Sequence, residues 1–142
     1  MKNQIEPLAH DAKDDQEWNE SYYFVFYDNK QHIGGMSRLG FKPNKNEGTV
    51  FLILFFPDGT AAFHTFTEKV VDELRKTTST IGSMEHKRLS TGNFSYQFND
   101  KMIFAQEPES LPKTMQNPKL IKKIANVKID LSFKPIHEVY EY

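Results

Sequence analysis

The sequence predicts an all-β protein, an antiparallel barrel or half-barrel of about eight strands in meander order. Apolar and polar residues alternate with a period of two in most segments, which is the pattern of half-buried strands. Turn-forming residues separate these segments at hairpin distances. Residues that favour strands are also abundant, with 12 Phe, 6 Tyr and 1 Trp among 142 residues. Helical periodicity is rare, so little helix is expected.

Four predicted strands fill the first half of the chain. Each is a largely apolar run that ends near a turn signal, such as Asp28-Asn29 or Pro57-Asp58-Gly59. Within the second strand, Gly34-Gly35 indicates a bulge or a close backbone approach. The predicted strands cover residues 22–27, 33–41, 50–56 and 61–66.

The second half of the chain begins with an ambiguous segment. Thr65 and Glu68 have the spacing of a capping box, which favours a short helix within residues 67–79. Further on, the pair Asn99-Asp100 predicts a tight turn between two strands of a hairpin. The predicted strands cover residues 81–89, 94–98, 102–106 and 127–133, and residues 107–125 form a long connection.

Length and composition indicate one domain. Residues 1–17 are polar and predict a flexible N-terminal arm, and residues 18–142 form a single β domain. The 18 basic and 19 acidic residues give a net charge of −1, without the basic excess of nucleic-acid-binding proteins. The chain has no cysteine, which excludes disulfides and zinc–thiolate sites.

The sequence lacks the patterns of membrane spans, signal peptides and metal sites. The longest apolar run, residues 50–56, is far shorter than the roughly 20 residues that span a bilayer. The N-terminus has no apolar segment of the signal-peptide type, so a cytoplasmic protein is expected. No metal and no other cofactor is predicted, because the histidines outside the candidate residues below follow no ligand spacing. These are His10, His32, His86 and His137.

The third predicted strand, Val50 to Phe56, has apolar residues at both its odd and its even positions, so both of its faces are apolar. In a lone barrel one face of this strand would meet water, and exposed apolar patches of that size mark interfaces. We therefore expect its outer face to be covered by another copy of the chain, by a second domain or by the N-terminal arm.

An ordered set of short motifs carries a family resemblance. The segment from Trp18 to Phe24 is followed by Gly34-Gly35, Arg38-Leu39-Gly40, Pro57-Asp58-Gly59 and Ile81-Gly82-Ser83-Met84. In this order the motifs resemble the lipocalin-like superfamily of AttH and carotenoid 1,2-hydratase (hydroxyneurosporene synthase). That resemblance implies a lipocalin-like barrel that matches the first of two tandem barrels, with a second barrel as partner. It also implies activities such as water addition to an isoprenoid double bond.

Two residues are candidate catalytic groups. Glu20 lies just before the first strand beside Trp18 and Tyr22, where desolvation would raise its pKa and make it a general acid. His64 becomes an acid–base group if its strand face lines the lumen. The alternatives are structural: Glu20 pairs with Arg38 or caps a backbone amide, and His64 is a packing or solvent-exposed residue.

The candidate ligand-binding residues combine aromatic walls with one cation. The aromatic residues line an apolar pocket or simply fill the core. The guanidinium of Arg38 recognises an anionic ligand group or is paired within the protein. The set is Trp18, Tyr22, Phe24, Arg38, Phe51 and Phe66.

The sequence leaves three functions open. The first is a lipocalin-like domain that binds an apolar small molecule. The second is an acid–base hydratase, cyclase or isomerase that acts on an isoprenoid-like substrate with Glu20 as proton donor. The third is a non-catalytic barrel that pairs with a second barrel or with itself. Whether the protein is an enzyme is not decided by its sequence.

Overall fold

The computed structural model describes residues 20–69, 78–90, 93–107, 109, 111–114 and 116–134. The predicted arm, residues 1–17, lies outside this part of the chain. The strands are β1 (Glu20–Asp28), β2 (Ile33–Lys42), β3 (Glu47–Phe55), β4 (Ala61–Lys69), β5 (Thr78–Ile81), β6 (Met84–Ser90), β7 (Asn93–Ala105) and β8 (Ile121–Phe133). One short helix, α1 (Leu111–Thr114), and 3-10 turns at Pro43–Lys45 and Pro118–Leu120 complete the described elements.

All eight strands belong to one antiparallel sheet. Strands β1 to β4 pair in sequence order, and β5 to β8 pair in sequence order. The two meanders are joined where Ala61–Phe63 of β4 pairs with Ile103–Ala105 of β7. The sheet curls into a half-barrel, which confirms the predicted fold class.

Three predicted boundaries are wrong. Strand β8 begins at Ile121, inside the connection predicted for residues 107–125. Asn99-Asp100 makes no turn, because β7 runs through it and pairs with β8 on both sides. The side chains there have partners elsewhere in the sheet: the Asn126 amide on β8 donates to Asn99 at 2.8 Å, and the Ser83 hydroxyl in the turn between β5 and β6 donates to Asp100 at 2.5 Å. The predicted strand 81–89 is instead interrupted by a turn at Gly82-Ser83, which separates β5 from β6.

The structure describes only the two ends of the segment 67–79, in which a short helix is predicted. Strand β4 continues to Lys69 and β5 begins at Thr78, so both ends of that segment are extended. Residues 70–77 lie outside the described part of the chain.

The main core occupies the concave side of the sheet. In β3, Val50, Leu52 and Leu54 are buried there, whereas Phe51, Ile53 and Phe55 point to the convex side. A smaller cluster of Ala61, Phe63 and Ala105 is buried on the convex side, where Ile53 packs against it. The largest buried side chains fill the interior between the two meanders, as expected for close-packed protein cores. They include Leu39, Phe41, Leu52, Met84, Tyr96, Phe98 and Met102.

Side chains of β1 bring the two meanders together. The strand order places β1 at one end of the sheet, far from β6 and β8. Nevertheless, the Phe24 ring lies 5.7 Å from Phe94, 5.6 Å from Tyr96 and 5.0 Å from Phe133, measured between ring centroids. Aromatic packing, rather than a backbone ladder from β1 to the second meander, therefore closes this side of the half-barrel among the described residues.

The glycine pair in β2 has two different environments. A Cβ on Gly35 would lie 2.5 Å from Cε1 of Phe26 and 3.0 Å from Cδ2 of Leu54. A Cβ on the neighbouring Gly34 would meet its nearest atom, in the Tyr27 ring, only at 3.6 Å. The interior-facing glycine is thus required for the close approach of β1, and the outward-facing glycine is not.

We expect Gly35→Ala to lower the free energy of unfolding by about 1–3 kcal/mol, because the added methyl group overpacks the contact with Phe26. Gly34→Ala is the matched control, and it should change that free energy by less than about 0.5 kcal/mol. Urea unfolding followed by circular dichroism measures both. Equal destabilisation by the two substitutions would contradict this description of the core.

Candidate functional site

Strand β6 turns polar side chains toward the interior. Its alternation places Met84, His86 and Arg88 on the concave, buried side, and places the intervening residues outside. His86 lies directly opposite Tyr96 of β7 in the antiparallel register. Side chains in such a pair have Cβ atoms about 5 Å apart, so an imidazole and a phenol enter the core side by side.

Aromatic rings enclose the imidazole. The Tyr22 ring is stacked on His86 at 4.9 Å and 22°, and the Phe94 ring is stacked on it at 5.4 Å and 26°. The Phe24 ring is tilted against it at 5.1 Å. We call this cluster the His86 site; its members are Tyr22, Phe24, Ser37, His86, Phe94 and Tyr96.

Four buried polar atoms of the His86 site have no hydrogen-bond partner among the described residues. They are both ring nitrogens of His86, the Tyr96 hydroxyl and the Ser37 hydroxyl. The exposed fraction of these residues is 1%, 0% and 0% respectively. Leaving a buried polar group unsatisfied costs about 1–3 kcal/mol. A core that served stability alone would carry apolar side chains at these positions, so these groups require an explanation.

Burial sets the protonation of the site. Desolvation lowers the pKa of His86 from 6.5 to about 4, and the nearby positive charge of Arg88 acts in the same direction. Desolvation also raises the pKa of Tyr96 to about 12. The Ser37 hydroxyl opposes that rise, although the two hydroxyls do not reach the geometry of a hydrogen bond. Both titratable groups are therefore uncharged at neutral pH.

The neutral groups define what the site can do chemically. A neutral imidazole offers one donor and one acceptor, and each hydroxyl offers a donor and acceptor lone pairs. His86 and Tyr96 titrate far from pH 7, so they suit hydrogen bonding to a guest better than proton transfer.

The sequence-predicted residues divide between the two faces of the sheet. Tyr22 and Phe24 belong to the His86 site. Arg38 and Phe51 lie opposite each other on the convex face, with the Arg38 guanidinium 5.6 Å from the Tyr23 ring centroid. Arg38 and Phe51 point away from the interior because successive side chains of a strand point to opposite faces of the sheet.

The other predicted site residues are placed apart from the His86 site. His64 packs edge-on against Phe98 at 4.8 Å, and its Nδ1 lies 3.0 Å from the carbonyl oxygen of Lys101. Phe66 is 41% exposed and contacts Gly82. The backbone of Glu20 pairs with Phe41, but its side chain, like all of Trp18, lies outside what the structure describes.

Sequence reasoning missed His86, Tyr96 and Ser37. The signal was the alternation itself, because His86 shares its parity with Met84, and Tyr96 shares its parity with Phe94 and Phe98. A histidine at the same parity as apolar residues in a strand is a candidate inward-facing group. The spacing typical of metal-ligating residues, which His86 does not follow, indicates metal sites only.

A cleft that shares no residue with the His86 site lies at the end of the half-barrel that carries the β3–β4 turn. It is an open cleft of about 410 Å³ whose apolar part is the stacked pair Phe56 and Phe104, 5.5 Å apart. Its rim carries Asp58, Lys122 and Lys123, all exposed to solvent. Because these rim groups are exposed to solvent and Asp58 accepts hydrogen bonds from Thr60, the cleft gives a weaker indication of a ligand than the His86 site does.

Among the described residues, no three His, Cys, Asp or Glu side chains are grouped so that they could hold a metal ion. No helix in the described part of the chain is long and apolar enough to cross a membrane.

Comparison with known proteins identifies a domain family. Residues 4–142 match the family described as a domain of unknown function, DUF7064, and the chain belongs to that family. No curated protein and no solved structure matches the chain.

The pKa of His86 predicts a pH dependence of stability. Between pH 6.5 and about 4 the unfolded chain binds a proton on His86 that the folded protein excludes. The free energy of unfolding should therefore fall as the pH is lowered through this window, by up to about 3 kcal/mol from this group.

Urea unfolding at several pH values between 7 and 4 measures the effect. His86→Phe should remove this part of the pH dependence, whereas the control His64→Phe should retain it, because His86 is still present. An unchanged dependence in His86→Phe would contradict the description of His86 as a buried neutral group.

Proposed function

We propose that this member of the DUF7064 family is a binding domain that encloses a small, mostly apolar and uncharged molecule at the His86 site. One observation carries the proposal: His86, Tyr96 and Ser37 bring buried polar atoms without hydrogen-bond partners into an aromatic enclosure. Apolar walls with a few convergent polar groups are the usual composition of small-molecule sites.

The chemistry of the site selects the ligand class. The rings of Tyr22, Phe24 and Phe94 pack on His86 and make its surroundings apolar, which favours a ligand with an apolar body. The neutral imidazole and hydroxyls can bind one hydroxyl or carbonyl oxygen of the ligand. A charged ligand is disfavoured, because burying an unpaired charge is far more costly than burying a hydrogen-bonded neutral group.

The packing of the interior limits the ligand in size. Met84, Phe98 and Met102 are almost completely buried, and their side chains fill the part of the core next to the His86 site. This close packing argues against a ligand with a long chain.

Binding is favoured over acid–base catalysis. A catalytic acid or base works best with a pKa near the working pH, whereas the pKa of His86 is about 4 and that of Tyr96 is about 12. The hydratase, cyclase or isomerase activity suggested by the AttH and carotenoid hydratase resemblance stays a prediction, as does the lipocalin-like kinship.

The proposal is tested with a matched pair of probes, p-cresol and toluene, which differ by one hydroxyl group. We expect the wild-type protein to bind p-cresol about 10-fold more tightly than toluene, the equivalent of one hydrogen bond. Tyr96→Phe should reduce the affinity for p-cresol about 10-fold and leave the affinity for toluene unchanged. Isothermal titration calorimetry measures these affinities.

The control is Tyr23→Phe, which removes an equivalent hydroxyl from the exposed convex face. It should leave both affinities unchanged. The proposal fails if neither probe binds with a Kd below about 1 mM, or if Tyr23→Phe and Tyr96→Phe have the same effect on binding.

A further inference from the structure

The convex face of β1, β2 and β3 carries a large apolar surface. In β1, Tyr23, Val25 and Tyr27 point outward with exposed fractions of 62%, 73% and 60%. In β3, Phe51 and Ile53 are half-buried, and Phe55 is exposed. Exposed apolar surfaces of this extent mark interaction sites on folded proteins.

The strand register arranges these side chains in three rows across the sheet. The central row is aliphatic, and an aromatic row lies on each side of it. The rows are Val25–Met36–Ile53 in the centre, Tyr23–Arg38–Phe51 on one side and Tyr27–Gly34–Phe55 on the other. We call these nine residues the convex patch.

The convex patch is nearly symmetric about its central row. Along β1 it reads Tyr, Val, Tyr, and along β3 it reads Phe, Ile, Phe. Only β2 breaks the symmetry, with Arg38 in one flanking row and Gly34 in the other.

The edge strands of the sheet differ in charge. Strand β8 exposes Lys122, Lys123, Lys128 and Asp130, and such charges protect an edge from unwanted association. Between its ends β1 has no charged residue, from Ser21 to Tyr27. The protection is thus absent at the edge that borders the convex patch.

We propose that a second copy of this chain docks on the convex patch, related by a two-fold axis that runs along the central row. The two sheets would pack face to face at about 10 Å, the spacing of stacked β-sheets. A two-fold interface uses the same surface on both copies and therefore must be self-complementary. The inference is independent of the His86 site, which lies on the opposite face of the sheet.

The symmetry of the patch meets that requirement. The two-fold axis reverses the strand direction, so each flanking row faces the other flanking row of the second copy. Tyr23 then faces Tyr27 of the second copy, and Phe51 faces Phe55 of the second copy. These pairs bring aromatic rings together, which is favourable beyond the area they bury.

The position of the one charge is also compatible with a second copy. Arg38 is the only charged residue in the convex patch. The proposed axis places it opposite Gly34 of the second copy, and not opposite the other Arg38. The guanidinium lies over Gly40 and beside the Tyr23 ring of its own chain, so the proposed axis keeps the two guanidinium groups apart.

The area is sufficient for a specific dimer. The exposed parts of Tyr23, Val25, Tyr27 and Phe55, with the half-buried members of the patch, amount to roughly 600 Å² per copy. The total of about 1,200 Å² is at the lower limit of specific, stable protein–protein interfaces. The proposed dimer is accordingly of moderate affinity.

Val25 is the residue to change, because it lies on the proposed axis and faces itself. Val25→Glu and Val25→Lys each place two like charges opposite each other, and we expect each to raise the Kd of the dimer at least about 100-fold. An equimolar mixture of the two variants should form a heterodimer, because the charges are then opposite. Sedimentation velocity over a range of concentrations measures each state.

The matched control is Ile124→Glu, which changes an aliphatic side chain that is 59% exposed on β8. It should leave the Kd of the dimer unchanged. A dimer that persists in Val25→Glu, or that Ile124→Glu dissociates equally, overturns the proposal.

A wild-type protein that stays monomeric at all concentrations also overturns it, and hydroxyl-radical labelling then identifies the alternative. Protection of Tyr23 and Tyr27 in the monomer would mean that the chain itself covers the patch. Labelling of both tyrosines would mean that the patch is open and fits another partner or none.

Discussion

The packing of Phe24 against the second meander is the interaction on which the rest of the structure depends. Strand β1 pairs with β2, yet the Phe24 ring contacts Phe94, Tyr96 and Phe133 on strands β7 and β8 of the second meander. Because side chains make this closure, the rings that close the half-barrel also form the walls of the His86 site. The free energy that aromatic burial contributes to folding also offsets the cost of holding unsatisfied polar groups in the core.

The same strands present different chemistry on their two faces. In β1, Phe24 faces the interior, whereas Tyr23 and Val25 face outward. In β3, residues of both parities are apolar, so the concave side packs into the core while the convex side remains available. A single sheet therefore supplies both the enclosure around His86 and the convex patch, and substitutions on one face can be made without altering the other.

Much of the fold could be predicted from the sequence, because alternation and turn residues are local signals. The strands in the first meander are examples, and Gly35 does mark a close approach of β1. The boundary at Asn99-Asp100 could not be predicted, because its partner Asn126 is remote in the sequence. The site was only partly predictable: His86 alternates in phase with the apolar Met84, but polar residues occupy both sets of alternating positions in β6, so this signal is weak without the tertiary packing.

The central claim is that the buried polar atoms around His86 receive a guest molecule. Diffraction from crystals of the protein grown with p-cresol tests it most directly. The account predicts density for p-cresol among the rings of Tyr22, Phe24 and Phe94, with its hydroxyl within hydrogen-bond distance of His86 or Tyr96. Density for a single water at that position, or protein groups that satisfy both ring nitrogens of His86 with p-cresol bound elsewhere, would contradict it.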